Sequence, residues 1–192
     1  MHIRKRLTAV AAVAAGLLAF VAMPQASAAD SPIPGIQLQL YTGPAADPDH
    51  PAYQIRSGWT DRCLEPELAK LFVNGAATHL DDCAGAAAQA FYVTKNPEGF
   101  YRFQNIVDKH YLEASLDTIG ANGTKVQLWE FVAGGRNQWW QASVNEQGFL
   151  RLKNTASGRY LEASKSVPGG GANNTKVQLW DFVAGGTNQW WH

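Results

Sequence analysis

The stretch Lys125 to Trp140, KVQLWEFVAGGRNQWW, returns at Lys176 to Trp191 as KVQLWDFVAGGTNQWW, with fourteen of sixteen positions identical and a constant separation of 51 residues. A long self-match at fixed spacing marks a repeated supersecondary unit. The two differences, Glu130/Asp181 and Arg136/Thr187, are polar exchanges expected at exposed positions. The unit extends backwards. Tyr101-Arg102-Phe103-Gln104-Asn105 stands ten residues before Tyr111-Leu112-Glu113, and Leu150-Arg151-Leu152-Lys153-Asn154 stands ten before Tyr160-Leu161-Glu162.

A third, diverged copy comes first. Tyr53-Gln54-Ile55-Arg56-Ser57 precedes Cys63-Leu64-Glu65 by the same ten residues, and Gln89-Ala90-Phe91 falls 49 residues before Gln138-Trp139-Trp140. Ala77-Thr78-His79-Leu80-Asp81-Asp82-Cys83 takes the place of KVQLWEF, and Pro66 to Phe72 reads as a short helical turn with proline at its first position. The repeats then run over 52–97, 98–147 and 148–192.

Ahead of them, Arg4-Lys5-Arg6, an apolar run from Leu7 to Met23 and Ala26-Ser27-Ala28 make the three regions of a secretory signal over residues 1–28. Its removal leaves 13 Lys+Arg against 16 Asp+Glu. That balance, without a basic run, argues against nucleic acid or an anionic membrane as partner, and no membrane insertion is expected once the signal is gone. Residues 29–51 form an extension and linker. Within it, Gly35 to Tyr41 alternates as an edge strand, and Pro44, Pro48 and Pro51 mark turns. Seven Trp, six Tyr and eight Phe among many Gly and Asn suit short strands and tight turns.

The two cysteines, Cys63 and Cys83, lie in the first copy, where an even pair in an exported chain is most simply a disulfide. Closing that loop is worth roughly 3 kcal/mol in the chain-entropy model. Cys63 aligns with Tyr111 and Tyr160, and Cys83 with Phe131 and Phe182, so an aromatic contact is expected in the later copies.

Three units of about fifty residues, each with a Cys/Tyr-Leu-acid step, two with Val-Gln-Leu-Trp and all with a closing Gln-x-Trp or its Gln-Ala-Phe form, resemble the ricin-type lectin family. The resemblance implies an all-β fold, the β-trefoil, with four strands per repeat about a pseudo-threefold axis, and a carbohydrate partner. It places Trp140, Trp191 and Phe91 in the core. Strand alternation puts Gln138 on the same side as Trp140, and turns Trp139 and Trp190 away to pack under a neighbouring loop. It also implies a sugar between an acid, an aromatic face and the Asn-Gln of the closing motif. In the second repeat these are Glu113, Trp129, Asn137 and Gln138; in the third they are Glu162, Trp180, Asn188 and Gln189. The first repeat has Glu65 but carries Asp81 and Ala88 at the aromatic and Asn positions, and is expected to be silent.

All three acids are Glu where the family usually has Asp, which shifts the carboxylate by about 1.5 Å. The longer side chain either selects a different sugar or pairs with Lys125 or Lys176. In a blander reading the tryptophans cover the core and the acids are solvated. No cofactor or metal is implied, because ligand residues at suitable spacing are lacking. Catalysis is not expected. Glu113 and Glu162 fall in different lobes, the histidines are scattered singly, and no nucleophile elbow, His-Glu-x-x-His helix or phosphate loop occurs. The alternative is a protein-binding trefoil such as a protease inhibitor, acting through Leu68 to Ala77 or Val167 to Asn174.

Overall fold

The computed structural model describes residues 31–166 and 170–192. The signal reading, and three residues of the Val167 to Asn174 loop, lie outside them. Among the described residues twelve strands run antiparallel, connected by loops and short 3-10 turns. Strand β1 is Gln39–Leu40. The first repeat holds β2 (Ala52–Gln54), β3 (Cys63–Pro66), β4 (Ala76–Asp81) and β5 (Ala90–Lys95). The second holds β6 (Tyr101–Asn105), β7 (Tyr111–Ala114), β8 (Thr124–Trp129) and β9 (Trp140–Val144). The third holds β10 (Leu150–Asn154), β11 (Tyr160–Ala163) and β12 (Thr175–Trp180), with Trp191 making single bridges where a fourth strand would stand.

The first and last strands of each repeat close a barrel. Strand β2 pairs with β5, β5 with β6, β6 with β9 and β9 with β10. Trp191 then bridges Leu150 on one side and Ser57 on the other, while Arg56 and His192 exchange backbone hydrogen bonds of 2.7 and 2.8 Å. Closure satisfies the backbone groups that open sheet edges would expose. The middle strands form three hairpins, β3–β4, β7–β8 and β11–β12, and these join in a triangle through β4–β8, β8–β12 and β12–β4. This is the β-trefoil.

Its core repeats in threes because each inward position recurs once per lobe. Leu64, Leu112 and Leu161 are fully buried, as are Leu80, Leu128 and Leu179, and Phe91, Trp140 and Trp191. The two tryptophans use their polar edge as well: Trp140 Nε1 donates to Leu112 O at 3.1 Å and Trp191 Nε1 to Leu161 O at 3.2 Å. Strand β1 does add to the sheet edge, pairing Gln39 with Gln54 and Leu40 with Tyr53. The segment before it is more than a linker, since Ile33, Ile36 and Leu38 are buried in the main core.

Two local expectations change and a third is extended. Pro66 ends β3, and the 3-10 turn is Leu68–Lys70, beginning after Glu67. Gln138 lies in the 3-10 turn Arg136–Gln138 and the strand starts at Trp140, so strand alternation does not set its direction. Trp139 and Trp190 gain a partner that the sequence reading did not name, and the backbone of Trp190 also lies against Gly58 in the loop after β2, accepting its N–H at 2.7 Å. Both rings stack on arginines, Arg102 and Arg151, whose guanidinium carbons lie 3.9 and 3.8 Å from the ring centres. Arg102 also stands 5.2 Å from the Tyr111 ring centre and 4.8 Å from that of Phe131. Burial pulls the affinity of both guanidinium groups for their protons down, with a nearby tyrosine opposing it.

Candidate functional site

The second-lobe site is built on the β7–β8 hairpin. Glu113 stands directly opposite Gln127, and Tyr111 opposite Trp129, so period-two alternation brings all four side chains to one face. Glu113 is 4% exposed. Its Oε1 accepts a bond from Gln127 Nε2 at 2.9 Å, and its Oε2 accepts from Asn137 Nδ2 at 2.9 Å and Gln138 Nε2 at 3.2 Å. Burial nevertheless dominates and raises its pKa, while the three amide donors and Lys125 pull in the opposite direction. The acids are therefore neither solvated nor paired to lysine. Lys125 Nζ donates to Gly75 O at 3.3 Å and Lys176 Nζ to Gly123 O at 3.0 Å, each tying its hairpin to the preceding lobe.

Gln138 and Gln189 have no exposed surface. Gln138 Nε2 donates to Glu130 O at 2.7 Å and its Oε1 accepts from Val132 N–H at 3.1 Å; Gln189 repeats both bonds with Asp181 and Val183. These amides hold the loop that follows each hairpin. Gly134, at φ 73°, turns the loop in the left-handed region. At Gly135 a Cβ would meet Val132 O at 3.1 Å, a tight approach that favours glycine where the loop closes onto the site.

The third lobe repeats the plan with one change. Glu162, 5% exposed, accepts from Gln178 Nε2 at 3.2 Å and Gln189 Nε2 at 3.1 Å; Asn188 Nδ2 donates to Ala163 O at 2.9 Å, as Asn137 Nδ2 does to Ala114 O at 3.0 Å, but it makes no bond to the acid. An open cleft of about 320 Å³ lies here, with Glu162, Trp180 and Asn188 among its walls and Lys165, Val183 and Gly186 around them. Trp129 and Trp180 are both half-buried, presenting part of a ring to solvent.

In the first lobe the carboxylate is kept and its surroundings change. Glu65 Oε2 accepts from Gln89 Nε2 at 2.7 Å, His79 occupies the place of Gln127, and Asp81 that of Trp129. Thus the structure brings together Glu113, Asn137 and Gln138, and Glu162 with Gln189. Trp129 and Trp180 stand on the same hairpin faces. Sequence reading missed Gln127 and Gln178 as carboxylate donors. The alternating Val-Gln-Leu-Trp, which puts Gln on the tryptophan side, was the available signal.

The profile of the ricin-type β-trefoil lectin domain matches residues 51–191. The chain belongs to this family. No match is found among curated proteins. Among solved structures, the designed threefold-symmetric protein ThreeFoil is 20% identical, with TM-score 0.67, covering 73% of this chain and 96% of that one. The ricin B-like lectin of Macrolepiota procera, solved with lactose, is 16% identical, with TM-score 0.59 over 73% of this chain and 91% of that one. An exo-β-1,3-galactanase from Clostridium thermocellum is 22% identical, with TM-score 0.66 over 75% of this chain but only 30% of that one. At these identities the likeness shows the fold shared by the three.

Proposed function

We propose that the protein is an exported, non-catalytic carbohydrate-binding protein with binding sites in the second and third lobes. The observation that carries this is the repeated constellation of a buried, amide-braced glutamate beside a half-exposed tryptophan, which opens into a cleft in the third lobe. Sugars offer flat C–H faces to aromatic rings and hydroxyls to fixed donors and acceptors. Trp129 and Trp180 supply the faces. Glu113 Oε1 accepts one bond from the protein, which leaves it acceptor capacity for a hydroxyl. Asn137 and Asn188 stand beside the acid, and Gln138 and Gln189 act behind them as braces. Membership of a lectin family supports the reading, as does the lactose complex of the Macrolepiota procera relative.

One rigid body with two shallow sites gains by avidity on a polymeric glycan. The deciding experiment is binding to a panel of soluble glycans and insoluble polysaccharides, with Trp129→Ala/Trp180→Ala as comparison. Binding that the folded double variant loses establishes the reading. Binding that it keeps overturns the assignment of the sites.

The second reading, docking of a protein through the first-lobe loop, is favoured by one observation. Leu68, Phe72 and Val73 are 53%, 69% and 58% exposed on a single loop, and Phe72 has a φ of 67°. Protease inhibition unaffected by free sugar, and lost in Phe72→Ala, would support it.

A further inference from the structure

The first lobe departs from the other two in two places on the face that carries the acid. Glu65 pairs across its hairpin with His79, as Glu113 pairs with Gln127 and Glu162 with Gln178. Two residues further along β4, on the same face, Asp81 stands where Trp129 and Trp180 stand in the other lobes. The amide donor has been exchanged for an imidazole and the aromatic face for a second carboxylate. One ligand atom each from Glu65, His79 and Asp81 lies within 4.8 Å of the other two. His79 Nε2 is 3.6 Å from Glu65 Oε1 and 3.8 Å from Asp81 Oδ2.

Those separations are too long for hydrogen bonds. They fit atoms arranged around an ion instead. Zinc bonds of about 2.0 to 2.2 Å to nitrogen and oxygen place tetrahedral ligand atoms roughly 3.4 Å apart, so the three groups need draw in by only a few tenths of an ångström at the two measured edges. Glu65 is already aimed. It is 6% exposed, Gln89 Nε2 occupies its Oε2 at 2.7 Å, and its Oε1 is turned toward His79. The side chains of His79 and Asp81 are 17% and 28% exposed, which gives an ion access from solvent. Lys176, opposite His79 across β4 and β12, sends its ammonium to Gly123 O at 3.0 Å. We infer that Glu65, His79 and Asp81 form a binding site for a divalent transition-metal ion of the zinc type, with water completing the coordination.

The chemistry of the donors selects the ion. One imidazole with two carboxylates suits zinc and its neighbours, whereas calcium and magnesium require shells of oxygen. The pairing of Cys63 with Cys83 leaves no thiolate to compete. The site is independent of the carbohydrate reading, because it uses neither the second nor the third lobe. Sequence spacing hid it, since Glu65 and His79 meet only across the hairpin.

The test is calorimetric titration of the untagged, EDTA-treated protein with zinc chloride, followed by cobalt(II) titration read by visible absorption. Wild type takes up one equivalent of zinc, and cobalt gives the intense bands of a low-coordinate site. His79→Gln, which installs the residue of the other two lobes, and Asp81→Asn each weaken zinc binding at least tenfold, while His50→Gln leaves it unchanged. Near-ultraviolet circular dichroism establishes that each variant is folded. No zinc uptake by wild type, or uptake that folded His79→Gln retains in full, overturns the inference.

Discussion

The rings of Tyr111 and Phe131 meet edge-on, their centres 5.8 Å apart, at the position where the first lobe carries the Cys63–Cys83 disulfide. Tyr160 and Phe182 repeat the contact at 5.6 Å in the third lobe. One tie between the start of a hairpin and the loop leaving it is thus made by a covalent bond in one lobe and by aromatic packing in the others. The two solutions differ in strength. A disulfide across a loop of this size contributes about 3 kcal/mol, whereas an aromatic pair adds about 0.5 to 1.5 kcal/mol beyond its burial. Cys63→Ser/Cys83→Ser should therefore lower unfolding stability by about 2 to 4 kcal/mol, and Phe131→Ala, removing a ring that is 56% exposed, by less than about 1.5 kcal/mol. Urea midpoints at fixed m-value compare them. Equal losses would contradict this ranking.

Behind each aromatic tie sits an arginine stacked on a tryptophan. Arg102 and Arg151 are 7% and 6% exposed, and among the described residues neither Arg102 Nε nor Arg151 Nη2 has a hydrogen-bond acceptor. Their charge is met by ring faces, so the partners should be energetically coupled. A double-mutant cycle between Arg102→Ala and Trp139→Ala is expected to give a coupling of about 1 to 2 kcal/mol, in the range of desolvated cation–π contacts. A coupling near zero would mean that the pair is only packing.

At the binding faces, Trp129→Ala and Trp180→Ala should each weaken binding of a short soluble glycan at the altered lobe about tenfold or more, without loss of fold, because both rings are half-buried rather than core. On an insoluble polysaccharide the double variant should lose far more than either single one, since avidity requires both lobes. Calorimetry on the oligosaccharide and depletion by the polymer separate the two effects.

Glu113 introduces a pH dependence of stability. Burial, the largest influence, raises its folded pKa above the unfolded value, so the native state holds the proton to higher pH than the unfolded chain does. Its contribution is fully present below the unfolded carboxylate value and is lost as pH rises through the folded one. Denaturation midpoints of wild type and Glu113→Gln should therefore diverge across the mildly acidic window just above the ordinary glutamate range. A difference that stays flat through that window would exclude the effect. The charged form, with its three amide donors in place, is also the form proposed to accept a sugar hydroxyl. Second-lobe binding should therefore decline as pH falls through the same window, and this is measured in Trp180→Ala, where only that lobe is active.

What the sequence determined by itself is the part that repeats. The near-identity of Lys125 to Trp140 with Lys176 to Trp191, carried back to Tyr53, marked three repeats, their motifs' resemblance to the ricin-type lectin family implied the trefoil, and the alignment of Cys63 and Cys83 with Tyr and Phe placed both the disulfide and its aromatic substitutes. Such features are legible because spacing along the chain is inherited directly as strand register. The same resemblance gathered Glu113, Asn137 and Gln138 into one candidate site. The tertiary structure alone decided which atoms meet. Gln138 turns inward to brace a loop, Arg102 comes under Trp139, and Ile33, Ile36 and Leu38 enter the core. Glu65, His79 and Asp81 converge on one face of the first hairpin in the same way. These contacts join residues from different strands whose partners are set by barrel closure and hairpin pairing. A one-dimensional period carries no record of them.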